Sequence, residues 1–161
     1  MRDFSLMGID IGTSAVKVLL WGSDGSLRQA RCPAKESYVK GCGSDVPEQD
    51  PIRLWQIVTS CIRKVLQGCD PQSVVGVGLA GHGPSLLAVD SDGVPVGNVV
   101  TWMDPRPLMI GDCRNACSGP SFEATSKWIY KQLECSGKGE AQKDGIRVLQ
   151  PKDYIGLRLT G

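Results

Sequence analysis

Histidine occurs once in the 161 residues, at His82, and phenylalanine only twice. Apolar runs are short: none approaches the roughly 20 residues a helix needs to span a bilayer, and Asp10 interrupts the N-terminal one. Neither a membrane helix nor a secretory signal is expected, and the expected location is cytoplasmic. Charge of one sign is equally scarce. Eighteen Lys and Arg against 17 Asp and Glu leave a net +1, which speaks against a nucleic-acid-binding surface, a localised basic patch apart. The seven cysteines, at 32, 42, 61, 69, 113, 117 and 135, are an odd number without CxxC spacing. With a single histidine they make a thin ligand set for zinc. Cys113 and Cys117 could share a helix face, yet the thiols read as reduced, small apolar residues.

What remains is the composition of one soluble domain, 41% hydrophobic and 22% charged, long enough to bury a core. Its organising stretch is Leu6 to Trp21, LMGIDIGTSAVKVLLW. Two apolar runs rich in branched residues flank a Gly-Thr-Ser bend, the pattern of a β-hairpin. Asp10 closes the first strand, and Gly12, Thr13 and Ser14 form the bend. A carboxylate, two hydroxyls and several turn N–H groups thus meet in a small volume, which suits a phosphate carrying a metal ion. An ordinary hairpin with polar turn residues would carry the same residues.

Further along, Ser23-Asp24-Gly25-Ser26 is a tight-turn signal, and Leu27 to Cys32 reads as a third antiparallel strand. Pro33 to Gln49 lacks periodicity and reads as an exposed loop. Asp50-Pro51 has the chemistry of a helix start, with Ile52, Trp55, Val58, Ile62, Val65 and Leu66 on one face and Gly68 placed to stop it. Val74 to Ala80, VVGVGLA, is nearly continuous in apolar residues, as expected of a strand buried on both faces. It runs into the loop Gly81-His82-Gly83-Pro84, a common place for a ligand.

A second hairpin is expected from Ser85 to Val89 and Val94 to Trp102 around Ser91-Asp92-Gly93. It delivers Trp102, Asp104 and Arg106, an aromatic face, a carboxylate and a guanidinium that could hold a polyhydroxylated molecule. A strand-end tryptophan in the core beside a surface ion pair would look the same. His82 likewise reads as a satisfied loop residue as readily as a catalytic one. Phe122, Thr125, Trp128, Ile129 and Leu133 fit one helix face, Gly145 to Leu149 a short strand, and Pro151 to Gly161 a last helix.

In their order, MGIDIGTSAVKVLLWGSDG, PEQDP before a Trp-containing helix, VVGVGLAGHGPSLLAVDSDGVPV, VVTWMDPRP and VLQPKDYIGLRLTG resemble the N-terminal domain of the FGGY carbohydrate kinases, in particular the xylulose kinase-like members. The resemblance covers essentially the whole chain. It implies an α/β fold of the actin-like ATPase, ribonuclease H-like type, a mixed sheet that starts with an antiparallel three-stranded meander and carries helices. It implies ATP and Mg²⁺ as cofactors, with Asp10 acting on the metal through water and Gly12, Thr13, Ser14 and Lys17 on the ATP-phosphate side. Gly81, His82, Gly83, Pro84, Trp102, Asp104 and Arg106 match the sugar side. Many xylulose kinases carry Gln-Met-His-Gly at the loop. This chain is nearer a branch that reads Gly-Gln-Gly-Pro, with His82 in place of Gln, which leaves the sugar open.

The family's catalytic Asp and its adenosine-binding domain lie beyond the Leu-Thr-Gly at 159 to 161. Residues 1–161 are therefore expected to be the sugar-side domain of a longer kinase, with no general base of their own and no activity alone. The expected partners are a sugar and the C-terminal kinase domain, with a homodimer as a further expectation and neither nucleic acid nor membrane. The alternative is a module that binds sugar or regulates a partner without chemistry.

Overall fold

The computed structural model describes residues 3–39, 47–109, 119–136 and 145–161. It divides into two units, residues 1–37 with 52–81 and residues 38–51 with 82–161. Cys42, Cys113 and Cys117 lie outside the described residues.

Alternation builds the first unit. Along β1 (Ser5–Ile11), Met7, Ile9 and Ile11 are buried, whereas Leu6, Gly8 and Asp10 occupy the opposite face. β2 (Ala15–Gly22) returns antiparallel in a register that pairs Leu6 with Trp21 and Asp10 with Lys17. β3 (Leu27–Pro33) follows after a turn in which Gly25 takes a positive φ of 84° and its N–H donates to the carbonyl of Gly22. After helix α1 (Pro51–Leu66), β5 (Val74–Gly81) joins parallel to β1. The sheet order is β3-β2-β1-β5. This is the expected mixed sheet, with three antiparallel strands first.

Helix α1 ends before Gly68, whose φ is +74°, where the Cys69 N–H donates to Leu66. Its buried line is Leu54, Val58, Cys61 and Val65. The apolar pattern predicts a face turned away from this one: Ile52 is exposed, and Trp55, Ile62 and Leu66 are only half-buried. Leu54 and Cys61 do the packing because they sit at four- and three-residue steps from Val58, in line with the sheet.

The expectation for β5 is corrected. Among the described residues it is an edge strand, paired only with β1, and Val75 and Val77 are 66% and 50% exposed. Continuous apolar sequence does not distinguish an edge from a centre. That depends on which neighbours the strand has.

The second unit is built on short pairings. The described residues between 33 and 49 are not a plain exposed loop: Ala34 and Ser37 are buried in the first unit, and β4 (Glu48–Gln49) in the second pairs antiparallel with β7 (Val99–Val100). Gln49 is fully buried. The strand β6 (Leu87–Val89) pairs with β8 (Arg147–Leu149), so the expected second hairpin is only partly formed. Single bridges, Leu86 to Val100 and Val89 to Pro95, replace a regular ladder around the Gly93 turn.

Helix α2 (Phe122–Cys135) starts at Ser121, whose side chain accepts from the Ala124 N–H, and packs Ile129 and Leu133 on Leu86, Ala88 and Val100. Helix α3 (Pro151–Thr160) buries Tyr154 and Ile155 and is followed by Gly161 at a φ of +96°. Among the described residues no helix is long and apolar enough to cross a membrane.

Candidate functional site

The phosphate-side candidates lie in the first unit. Asp10 faces away from α1 at the end of β1, and the cross-strand register brings Lys17 opposite it. Lys17 Nζ donates to Asp10 Oδ2 at 3.2 Å, and both side chains are about half exposed, at 61% and 48%. The two border a groove of about 830 Å³ along the open face of the sheet, floored by Gly8 and Gly78 and flanked by Leu19 and Arg31. In the bend the Gly12 N–H donates to the Ala15 carbonyl at 3.1 Å. A Cβ at Gly12 would stand 2.9 Å from that same carbonyl oxygen, so the turn itself requires glycine. The Ser14 carbonyl accepts from Ala34, which ties the bend to the end of β3.

The sugar-side candidates, Gly81 apart, lie in the second unit and form two groups. In the first, the fully buried Ser85 is central. Its Oγ lies 2.7 Å from His82 Nδ1 and accepts from the Trp102 N–H at 2.9 Å. Trp102 is 45% exposed, so it is not the core tryptophan that its strand-end position allowed. Between His82 and Ser85 the Gly83–Pro84 peptide is cis, and a Cβ on Gly83 would crowd Phe122 at 3.2 Å.

The second group is centred on Arg106. Asp104 is fully buried, and its two carboxylate oxygens accept from Arg106: Nε at 3.0 Å from each and Nη2 at 2.6 Å from Oδ2. Oδ1 also accepts the Arg106 N–H at 2.9 Å. Arg106 Nη2 donates to Glu48 as well, and the other oxygen of Glu48 accepts from Asn98 at 2.8 Å. The guanidinium lies 5.1 Å from the centroid of Trp128. Asp104 first, and then Glu48, hold Arg106 in its charged form against the opposing effect of burial.

Ser85, Glu48 and Trp128 join these groups without a local motif that marks them. Ser85 passes for the first residue of a strand, Glu48 for part of a loop, and Trp128 for one more member of a helix face. The Ser three residues after the sole histidine was the one available signal.

The N-terminal domain of the FGGY family of carbohydrate kinases matches residues 5–161. The chain belongs to this family. It is 28% identical over 175 residues to the xylulose kinase of Escherichia coli strain K12, covering 96% of this chain and 33% of that protein. An FGGY carbohydrate kinase domain-containing protein of Danio rerio is 30% identical over 125 residues, covering 73% of this chain and 23% of that protein. Among solved structures, the "xyloylose kinase" of Brucella ovis superposes with a TM-score of 0.74 at 22% identity, over 97% of this chain and 34% of the other. The glycerol kinase of Plasmodium falciparum, solved with ADP, gives 0.65 at 17% identity, over 97% and 34%. The FGGY chain described here therefore spans about a third of the length of the xylulose and glycerol kinases it matches. Its fold is the actin-like α/β fold of that family.

Proposed function

We propose that this chain is the N-terminal, sugar-side domain of an ATP-dependent kinase that phosphorylates a hydroxyl of a xylulose-like pentulose or a related polyol. The observation that carries the reading is the family match, which runs through both the Asp10 bend and the His82 to Arg106 segment. On this reading the general base and the adenosine-binding domain belong to sequence beyond Gly161, and the 161 residues are inactive alone, self-associating and cytoplasmic.

Asp10, with the Thr13 and Ser14 hydroxyls near it in sequence, offers hard oxygen donors, a set that fits a hydrated Mg²⁺ better than a softer metal. Among the described residues no three His, Cys, Asp or Glu side chains gather into a metal cage, which fits an ion held by one carboxylate through water. When bound, Mg²⁺ neutralises phosphate oxygens during phosphoryl transfer. Lys17 supplies a cation beside Asp10 on the phosphate side. On the sugar side, the exposed Trp102 offers a ring face for C–H contacts. His82 stands on the neighbouring loop, its Nδ1 bonded to Ser85. Asp104 acts there by orienting Arg106, which takes up both of its carboxylate oxygens.

A sugar-binding module without chemistry is the second reading, favoured by one observation: the His82, Ser85 and Trp102 group is assembled within one unit. The test is titration of D-xylulose, glycerol and gluconate into the chain by tryptophan fluorescence, with ADP release measured in parallel. Binding without turnover is expected. Turnover by these 161 residues would overturn their inactivity, and failure to bind any pentulose or polyol would overturn the sugar-side assignment.

A further inference from the structure

We propose that Ser85 is the positioning residue of the sugar side: its hydroxyl donates to His82 Nδ1 while its oxygen accepts from the Trp102 amide, holding His82 as the neutral tautomer protonated on Nε2.

The argument is one of satisfying hydrogen bonds. The Trp102 N–H is a donor only, so at 2.9 Å the Ser85 oxygen must accept from it. Ser85 is fully buried, and its one proton needs an acceptor. His82 Nδ1, at 2.7 Å, is in place to provide one. If Nδ1 carried the proton instead, the buried hydroxyl would have to turn its own proton elsewhere, and an unmatched buried donor costs about 1–3 kcal/mol. The imidazole therefore accepts at Nδ1 and carries its proton at Nε2, an atom that is itself buried. The same atom ties the backbone of Trp102 to the loop that carries His82, so one hydroxyl sets two side chains in register. That this register serves a sugar rests on the proposed function. The tautomer and the clamp do not.

Because His82 is the sole histidine, a ¹⁵N-labelled sample gives one imidazole spin system, read at a pH where the ring is neutral. The expected wild-type spectrum has Nδ1 in the unprotonated range and Nε2 in the protonated range. A predominant Nδ1–H tautomer would overturn the proposal without any variant being made. In Ser85→Ala the tautomers should mix, the Trp102 amide should exchange with solvent at least about tenfold faster, and D-xylulose binding should weaken by a similar factor. A folded Ser85→Ala with the wild-type tautomer and wild-type Trp102 exchange would also overturn it. If the variant does not fold, the wild-type spectrum decides. The expected tautomer in a chain that binds neither D-xylulose nor glycerol would support the clamp and count against the sugar reading.

Discussion

Arg106 and Asp104 are locked to each other: the guanidinium gives hydrogen bonds from Nε and Nη2 to both oxygens of a carboxylate that has no solvent exposure. Two residues apart in sequence, they form one rigid unit, and Glu48 and Trp128 close it from β4 and α2. Asp104→Ala is predicted to strand a charge that is three-quarters buried and to cost about 3 kcal/mol in urea unfolding. Glu48→Gln keeps a hydrogen-bonding group at the second partner and should cost about 1 kcal/mol. Equal losses from the two would contradict the central place given to Asp104.

Asp10 and Lys17 present the opposite case. Their ion pair is exposed on both sides, so Asp10→Asn should change stability by less than about 0.5 kcal/mol. The proposed role predicts a much larger effect on function. In a kinase containing this domain, Asp10→Asn should lower kcat at saturating Mg²⁺ and ATP by about a hundredfold or more, about 2.7 kcal/mol of barrier. Kinase assays beside thermal melts would separate the two, and near-normal turnover in the variant would remove Asp10 from the metal.

Gly12→Ala places a methyl group 2.9 Å from a backbone carbonyl that already accepts from residue 12. The neighbour is backbone and cannot rotate away, so the hairpin must open or distort. A loss of about 1–3 kcal/mol is predicted. A wild-type melting temperature would show that the bend is looser than its geometry requires.

Cys61 lies against the sheet, its thiol 3.7 Å from the Val16 carbonyl. Burial, and then the neighbouring Cys32, push its pKa up from 9.0 to about 11. The unfolded thiol ionises near its ordinary value while the folded one stays neutral, so this contribution to stability is complete below about pH 9 and is lost as the pH rises to about 11. Burial also raises Tyr38, with the same sign. Urea midpoints should therefore fall over that window, and less steeply in Cys61→Ala relative to its own value at pH 8. Native Cys61 should resist alkylation at pH 8, when the exposed Cys135 reacts. Rapid labelling of Cys61 in the folded chain would refute its burial.

What the sequence determined by itself is local. Branched residues on either side of Gly-Thr-Ser made a hairpin, Asp-Gly pairs made turns, and Pro51 and Pro151 stand where α1 and α3 begin. These depend on backbone freedom and on neighbours a few residues away. The ordered set of motifs was legible for the same reason, and with it the family. Tertiary structure decided what depends on distant neighbours. It made β5 an edge, turned α1 onto Leu54 and Cys61, and drew Glu48 out of an apparent loop to meet Arg106, 58 residues later. Above all, it brought the Trp102 amide and the His82 ring onto one Ser85 hydroxyl. A serine shows in sequence only that it can donate and accept. Which partners it satisfies is decided when folding buries it and leaves them within reach.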